Sequence, residues 1–549
     1  MNAGRAAAGC LALLIGAATG RAAAAPVSVG ESIYLHGTGF TAPIEATRGA
    51  DLRSQGAEVA CVQCHRRSGL GVSTGSGARA RSVIIPPITG QYLYHSRDAA
   101  FEEAGLPYLQ NARANRGTYT DATLARAIRE GIDPDGKTLA YLMPRFALSD
   151  ADMAALIAYL KQLNSGVVPG VTDKLLHFAT IITPDADPVK RRGMLDVMQH
   201  YFADKNTFPF PPSPPMRSSG KTLYAKSMYM ANRHWQLHVW ELSGPRDSWT
   251  QQLEQHLAAE PVVAAVSGLG GTDWAPVHEF CQSAGLPCLF PNVELPVVAD
   301  QDFYTLYFSR GVLLEADLIA ARIAAAGGPS VKSVVQVYRS GDSGEQAAKA
   351  LAANLARRGI AAHSEALASR ASAERLNEAV HATSADALVL WLRAPDIAAL
   401  GAAEAAPARV YASGLMGGLE HAPLPAGWRS RTLLAFPFDL PDRSRVRVNY
   451  PLQWFSIRHI PLVAEQVQID TYLACGLLAE TLSHMADTLA RDYIVERTES
   501  MIEHRLMTGP YPRLSLAEGQ RFASKGGYLV KFAGAAGTLE ADGDWTIPE

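Results

Sequence analysis

Past its N-terminal segment the chain lacks any stretch of about 20 uninterrupted apolar residues, so no membrane-spanning helix is expected there. An excess of charge of either sign is also lacking. Lys and Arg number 50 against 53 Asp and Glu, a formal net charge of -3 with a pI near 6.6. No long-range field then draws the molecule to nucleic acid or to an acidic membrane surface, and nucleic-acid binding is not expected. Two catalytic signatures are missing as well: no G-x-S-x-G nucleophile elbow and no P-loop occur. Cysteines are few, six in 549 residues.

What is present points to a folded, multi-domain chain. Its length exceeds what one core usually supports, and 48% hydrophobic residues suffice for well-packed interiors. The opening residues, MNAGRAAAGCLALLIGAATGRAAAAPVSV, carry one early arginine, an apolar run from Cys10 to Ala18, and small residues before Pro26. That order reads as a secretory signal peptide over residues 1–25. Cys10 belongs to this discarded segment, because the apolar run follows it instead of preceding it. The mature protein is therefore expected to be periplasmic. Without Cys10 five cysteines remain, Cys61, Cys64, Cys281, Cys288 and Cys475, an odd number that pairwise disulfides cannot exhaust.

The stretch CVQCH, Cys61 to His65, offers three chemistries. A zinc site needs a second pair of ligands at short spacing, and the nearest candidates, Cys281 and Cys288, lie far away in another pattern. A thioredoxin-like dithiol follows a buried strand and opens a helix, whereas RGADLRSQGAEVA has no strand-like apolar run. A c-type haem uses the spacing mechanically. Two cysteines three apart reach the two vinyl groups on one porphyrin edge as thioethers, and the next residue, His65, falls beneath the iron.

A second axial ligand is available downstream in AYLMPRFALSDADMAALIAYLKQL. Pro144 disfavours helix at Met143 and holds that thioether in a loop. Ser149 as N-cap with Asp152 three later opens the next helix, whose core face is Met153, Leu156, Ile157, Leu160 and Leu163. His95, in YLYHSRD, is the rival sixth ligand.

Residues 28–165 resemble a class I cytochrome c. The resemblance rests on VGESIYLHG, where Gly30 and Tyr34 share a helical face that meets the terminal helix near Tyr159, on CVQCH, on IIPPITG, on YTDATLARAIREGIDPDG as a middle helix, and on LMPRF. It implies an all-α domain with one covalent haem c, Cys61 and Cys64 as thioether donors, His65 and Met143 as axial ligands, and support of His65 by the carbonyl of Pro86 or Pro87. About 20 residues separate the first helix from the motif, where small members of that family have almost none.

After a Gly/Pro/Ser-bearing linker, 166–174, the pattern changes to alternating strand and helix, from HFATIIT through SVVQVYR and ADALVLWLR, which implies parallel sheets covered on both faces. Residues 175–549 resemble a type I periplasmic binding protein, a two-lobed α/β receptor of branched-chain amino acid and amide transport, through AVSGLGGTDWAPVHEFCQSAGLPCLFPN, YFSRG and VVQVYRSGDSGEQAAKALAANLARRGI. The resemblance implies a cleft for a small-molecule ligand. Ser267, Gly270, Gly271 and Thr272 would offer backbone N–H groups to an anionic end of it, with Arg310, Tyr338 and Asp342 as further cleft candidates. Cys281 and Cys288 bracket a helix-to-strand turn and are expected to form a short-loop disulfide, and Cys475 a buried, inert thiol.

The expectation is thus an exported electron carrier, not an enzyme, since two axial ligands fill the iron. Its module would recognise a ligand or a periplasmic redox partner, with a dehydrogenase as the expected partner class by analogy with exported quinoprotein dehydrogenases that pass electrons to c-type cytochromes. The alternative is a solute receptor in which haem serves as sensor or structural clip.

Overall fold

The computed structural model describes residues 27–49, 52–74, 83–95, 116–207, 233–299, 302–325, 331–381, 384–403, 406–418, 423–485, 488–533 and 538–548. The signal-peptide expectation and Cys10 lie outside the described residues. The described chain divides into two compact units. The smaller takes the chain up to Cys64, then Thr89–His95 and Arg116–Leu163; the larger takes His65–Ile88 and everything from Asn164 on.

In the smaller unit the helix Val29–His36 starts at Ser28, whose hydroxyl accepts from the Glu31 amide, and stops at Gly37 in the left-handed region. It lies against the helix Asp150–Gln162 at close range, which Gly30 makes achievable: a Cβ there would fall 2.2 Å from the Ala155 carbonyl oxygen. Tyr34 and Tyr159 meet with ring centroids 5.3 Å apart. Ser149 caps the second helix by accepting from the Asp152 amide at 3.1 Å. A capping box of Thr120 and Thr123 opens the helix Asp121–Glu130, and Ile33, Tyr34, Leu124, Ile128, Met153, Leu156 and Leu160 form the core.

The segment between the first helix and CVQCH is not idle loop. Strands β1 (Glu45–Arg48) and β2 (Leu52–Gln55) make a hairpin, and β1 also pairs antiparallel with β5 (Arg145–Ala147), so a small three-stranded sheet joins the helical frame. In the larger unit β3 (Val72–Thr74) and β4 (Val83–Ile85) form a two-stranded antiparallel pair.

Two larger sheets follow. The first has order β10-β9-β8-β6-β7, from β6 (Leu175–Ile182), β7 (His234–Glu241), β8 (Ala264–Val266), β9 (Cys288–Leu289) and β10 (Thr305–Leu306), all parallel. The second has order β12-β11-β13-β14-β15-β16-β17. Here β11 (Ser333–Arg339), β12 (Ala361–Leu367), β13 (Ala387–Trp391), β14 (Val410–Ser413) and β15 (Thr432–Phe436) are parallel, and β16 (Tyr528–Ala533) and β17 (Thr538–Ala541) close the edge antiparallel. Trp240, Trp274, Val277 and Phe280 pack the first lobe, and Leu318, Leu351, Val389 and Trp391 the second. The helices Glu465–Ser483 and Arg491–Ile502 return to the first sheet, where the Ser267 hydroxyl donates to Thr471 at 2.8 Å and Arg491 donates to the Val262 carbonyl at 2.5 Å. The architecture is multi-domain, a helical domain followed by a two-lobed α/β module.

Candidate functional site

CVQCH folds as one tight turn: the Cys64 amide donates to the Cys61 carbonyl at 3.2 Å, and Val62–His65 is helical. Both thiols are partly exposed, free and presented from the same turn as the histidine. His65 is buried, and its Nδ1 lies 2.9 Å from the carbonyl oxygen of Pro86, so of the two prolines it is Pro86 that supports the ring. A carbonyl can only accept, so Nδ1 carries the proton and the Nε2 lone pair is left for a metal. Burial, opposed by that hydrogen bond, lowers the imidazole pKa to about 4, which keeps it in the neutral, ligating form. Gly71 permits the crossing of the two chain segments. Its φ is +68°, and a Cβ there would collide with the Ile85 carbonyl.

Met143 sits, half-buried, in the turn before β5. Its amide donates to the Ala140 carbonyl at 3.1 Å, and its own carbonyl accepts from Arg145, which also donates to the Leu139 carbonyl at 3.2 Å. One guanidinium thus fixes the loop carrying the thioether. Gly131 makes room for it, since any Cβ there would overlap Arg145. His95 is exposed, at the end of the short helix Gly90–Tyr94. The donor set suits a c-type haem: Cys61 and Cys64 for thioethers, neutral His65 and Met143 for iron.

The cleft candidates meet a different fate. The backbone donors expected to hold an anionic ligand are met within the protein itself, that of Thr272 by Asp185. Its carboxylate accepts from the Thr272 amide at 2.8 Å, the Thr272 hydroxyl at 3.0 Å and Thr183 at 2.6 Å, while the Gly271 amide donates to Thr183 at 3.0 Å. Burial works against the Asp185 anion, but these donors hold its pKa below the ordinary value. The Gly270 amide donates to the Asn292 carbonyl at 3.2 Å. Ser267 is fully buried between Thr471 and Asn292. Arg310 pairs with Asp317 at 2.6 Å, and Tyr338 is buried at the end of β11.

Asp342 does reach a charged centre, but as part of an internal network. It caps the helix Ser343–Ala356 and is gripped by Arg393 through Nε at 2.9 Å and Nη2 at 2.5 Å. The same guanidinium holds Glu294 through Nη1 at 2.9 Å and Nη2 at 2.8 Å, and Lys190 adds a contact at 3.1 Å. Glu294 lies between β9 and β10 of the first sheet while Asp342 and Arg393 follow strands of the second, so these groups tie the lobes together. Burial would raise the Glu294 pKa, yet Arg393, Lys190 and Ser343 bring it down to about 2. Nearby Glu315 is buried among Ser413 and the Leu415 amide. Burial dominates there and raises its pKa to about 8, leaving a neutral acid.

Arg393 and Glu294 had no motif to mark them; the signal available was position, since Arg393 lies just beyond the carboxyl end of β13. The expected disulfide is corrected: Cys281 and Cys288 stand as free thiols, both buried in the first lobe's apolar core. A hydrogen bond given to Cys288, together with burial, pushes the Cys281 thiol well above its ordinary value, which favours its protonated form. Cys475 is buried and its pKa is raised to about 12 by desolvation. Among the described residues no helix is long and apolar enough to cross a membrane.

The cytochrome c family model matches residues 47–164. No curated protein matches the sequence. Among solved structures, a fatty acid ABC transporter substrate-binding protein from Thermomonospora curvata superposes with a TM-score of 0.50 at 15% identity, covering 70% of this chain and 95% of its own. An ABC transporter substrate-binding protein from Sphaerobacter thermophilus gives 0.49 at 12% identity over 68% and 98%, and a leucine-binding protein from Thermotoga maritima 0.48 at 11% over 67% and 98%. At such identities the likeness is one of fold.

Proposed function

We propose that this chain, a cytochrome c domain joined to a module folded like a bacterial substrate-binding protein, is an exported single-electron carrier whose module recognises a redox partner. The observation that carries the reading is the turn Cys61–His65 with its imidazole oriented by Pro86. Haem bound there supplies a one-electron couple. The chain's own residues do the rest. Cys61 and Cys64 would anchor the group covalently, which suits an exported protein because nothing could then diffuse away. Pro86 fixes the tautomer of His65. Arg145 holds Met143 in the loop from which a thioether would complete the coordination, leaving no open position for oxygen chemistry, as befits a carrier and not an enzyme.

The filled cleft favours partner recognition over capture of a free charged solute. A ligand's carboxylate would have to displace Asp185 from the Thr272 donors, and a charged ligand between the lobes would have to break Arg393 from Glu294 and Asp342. A periplasmic dehydrogenase is the partner class we assign, by analogy with exported quinoprotein systems alone.

Spectroscopy of the exported full chain tests this. One haem per chain is expected, retained through extraction with acidified organic solvent, and the reduced protein should not take up carbon monoxide. Colourless protein, or pigment released intact by the solvent, overturns the reading.

A further inference from the structure

The residues just after His65 are held by carboxylates more than 400 positions away. Arg66 adopts a left-handed backbone, φ 64°, uncommon for a non-glycine residue and so in need of outside support. Its guanidinium pairs with Glu499 and, at 3.0 Å, with Glu518. Glu499 is 4% exposed and is shared with Arg521, itself 5% exposed, which donates to the Phe303 carbonyl at 2.8 Å. Arg67 lies over the rings of Phe303 and Tyr304, 5.1 and 5.4 Å from their centroids, and 3.8 Å from Asp492. Ser68 is fully buried and gives both its amide, at 2.9 Å, and its hydroxyl, at 2.5 Å, to Glu496. Asp492, Glu496 and Glu499 lie at spacings of four and three on the helix Arg491–Ile502, so one face of it receives the whole Arg66–Ser68 stretch.

From Ser68 the contacts run back to the ligand. The Ser68 hydroxyl accepts from the Leu70 amide at 3.2 Å, and the Gly69 carbonyl accepts from the Ile88 amide at 2.8 Å. The Gly71 amide donates to the His65 carbonyl at 3.0 Å, and Pro86, two residues before Ile88, holds His65 Nδ1. The socket on the helix therefore fixes both ends of the loop that orients the imidazole.

We infer that Glu496 and Glu499 are positioning residues for the haem ligand: by seating Arg66 and Ser68 they set how firmly Pro86 holds His65, and so adjust the iron's reduction potential from within the binding-protein-like module. A firm Nδ1–H to carbonyl bond makes the imidazole a stronger donor and favours ferric iron. Loosening it favours ferrous iron.

The inference rests on His65 being a haem ligand, and its test has two arms so that the two failures differ. In the haem-loaded full chain, Glu496→Gln and Ser68→Ala should each raise the ferrous-to-ferric ratio at fixed electrode potential about threefold, or about 28 mV at 59 mV per tenfold for one electron. Glu496→Asp, which keeps the carboxyl group but retracts it, should also shift it. The second arm needs no haem. In a chain carrying Cys61→Ala and Cys64→Ala, the amides of Ser68 and Gly71 should exchange slowly, and at least tenfold faster when Glu496→Gln is added. Potentials equal to the parent's in all three variants overturn the inference, as does fast exchange of those amides in the haem-free parent. Loss of haem binding with the exchange result intact overturns the haem reading instead.

Discussion

Replacing Arg393 with leucine tests the charge arrangement between the lobes. The guanidinium makes four hydrogen bonds to two carboxylates, Glu294 and Asp342, each about 15% exposed, and is itself 35% exposed. Removing one partner of a fully buried ion pair costs about 3–5 kcal/mol, because the remaining charge is left without compensation. Here the arginine is partly hydrated and Lys190 still touches Glu294 at 3.1 Å, so the loss at pH 7 should be lower, about 2 kcal/mol. The pH dependence carries the sharper information. Glu294 is depressed to about 2 in the folded protein against an ordinary 4.5, so its contribution is complete above 4.5 and disappears as pH falls through 2. Without Arg393 the carboxylates can protonate to relieve the imbalance, and the difference between variant and parent should shrink as pH is lowered from 7 to 4. Urea melts of both proteins at the two pH values, followed by tryptophan fluorescence, measure this. A deficit that stays constant from pH 7 to 4 would refute the electrostatic argument and leave lost packing as the cause.

Asp185→Ala should cost about 1 kcal/mol for its lost hydrogen bonds, and should uncover the Thr272 donors, so that millimolar sulfate raises the melting temperature of the variant and not of the parent. Met143→Ala should let carbon monoxide bind the reduced protein and shift its Soret band, whereas the same substitution at the core residue Met153 should lower thermal stability without opening the iron. Gly30→Ala should destabilise the smaller unit by about 3 kcal/mol, the range for overpacking, read as a lowered thermal midpoint. Glu315 and Asp470 hold their protons in the fold, with values raised by burial to about 8 and about 7 from 4.5 and 3.8. Between the unfolded and folded values the native chain binds the extra proton, so stability should fall as pH rises across that window, by about 1 kcal/mol per pH unit for each group. Glu315→Gln should flatten that slope in denaturation measured from pH 5 to 8.

The local signals in this sequence carried over because local geometry enforces them. The proline after Met143 keeps it out of a helix, Ser149 caps the helix that follows, and the apolar strands of the module read directly as β6, β11 and β13. The β1–β2 hairpin was hidden because its residues, EATR and LRSQ, have no apolar alternation; pairing with β5 holds it. What the glycine-rich turn after β8 would bind was not legible at all. Its Thr272 amide meets the carboxylate of Asp185, 87 residues upstream, and Arg393 meets Glu294 across 99 residues. Whether a donor faces a ligand or a side chain depends on such distant pairings, which leave no periodicity or spacing in the chain. The consequence reaches function. The Thr272 donors and the Arg393 charge, where the resemblance to binding proteins leads one to expect a ligand, are already matched by the protein itself, so a charged solute would first have to overcome interactions that hold the lobes together.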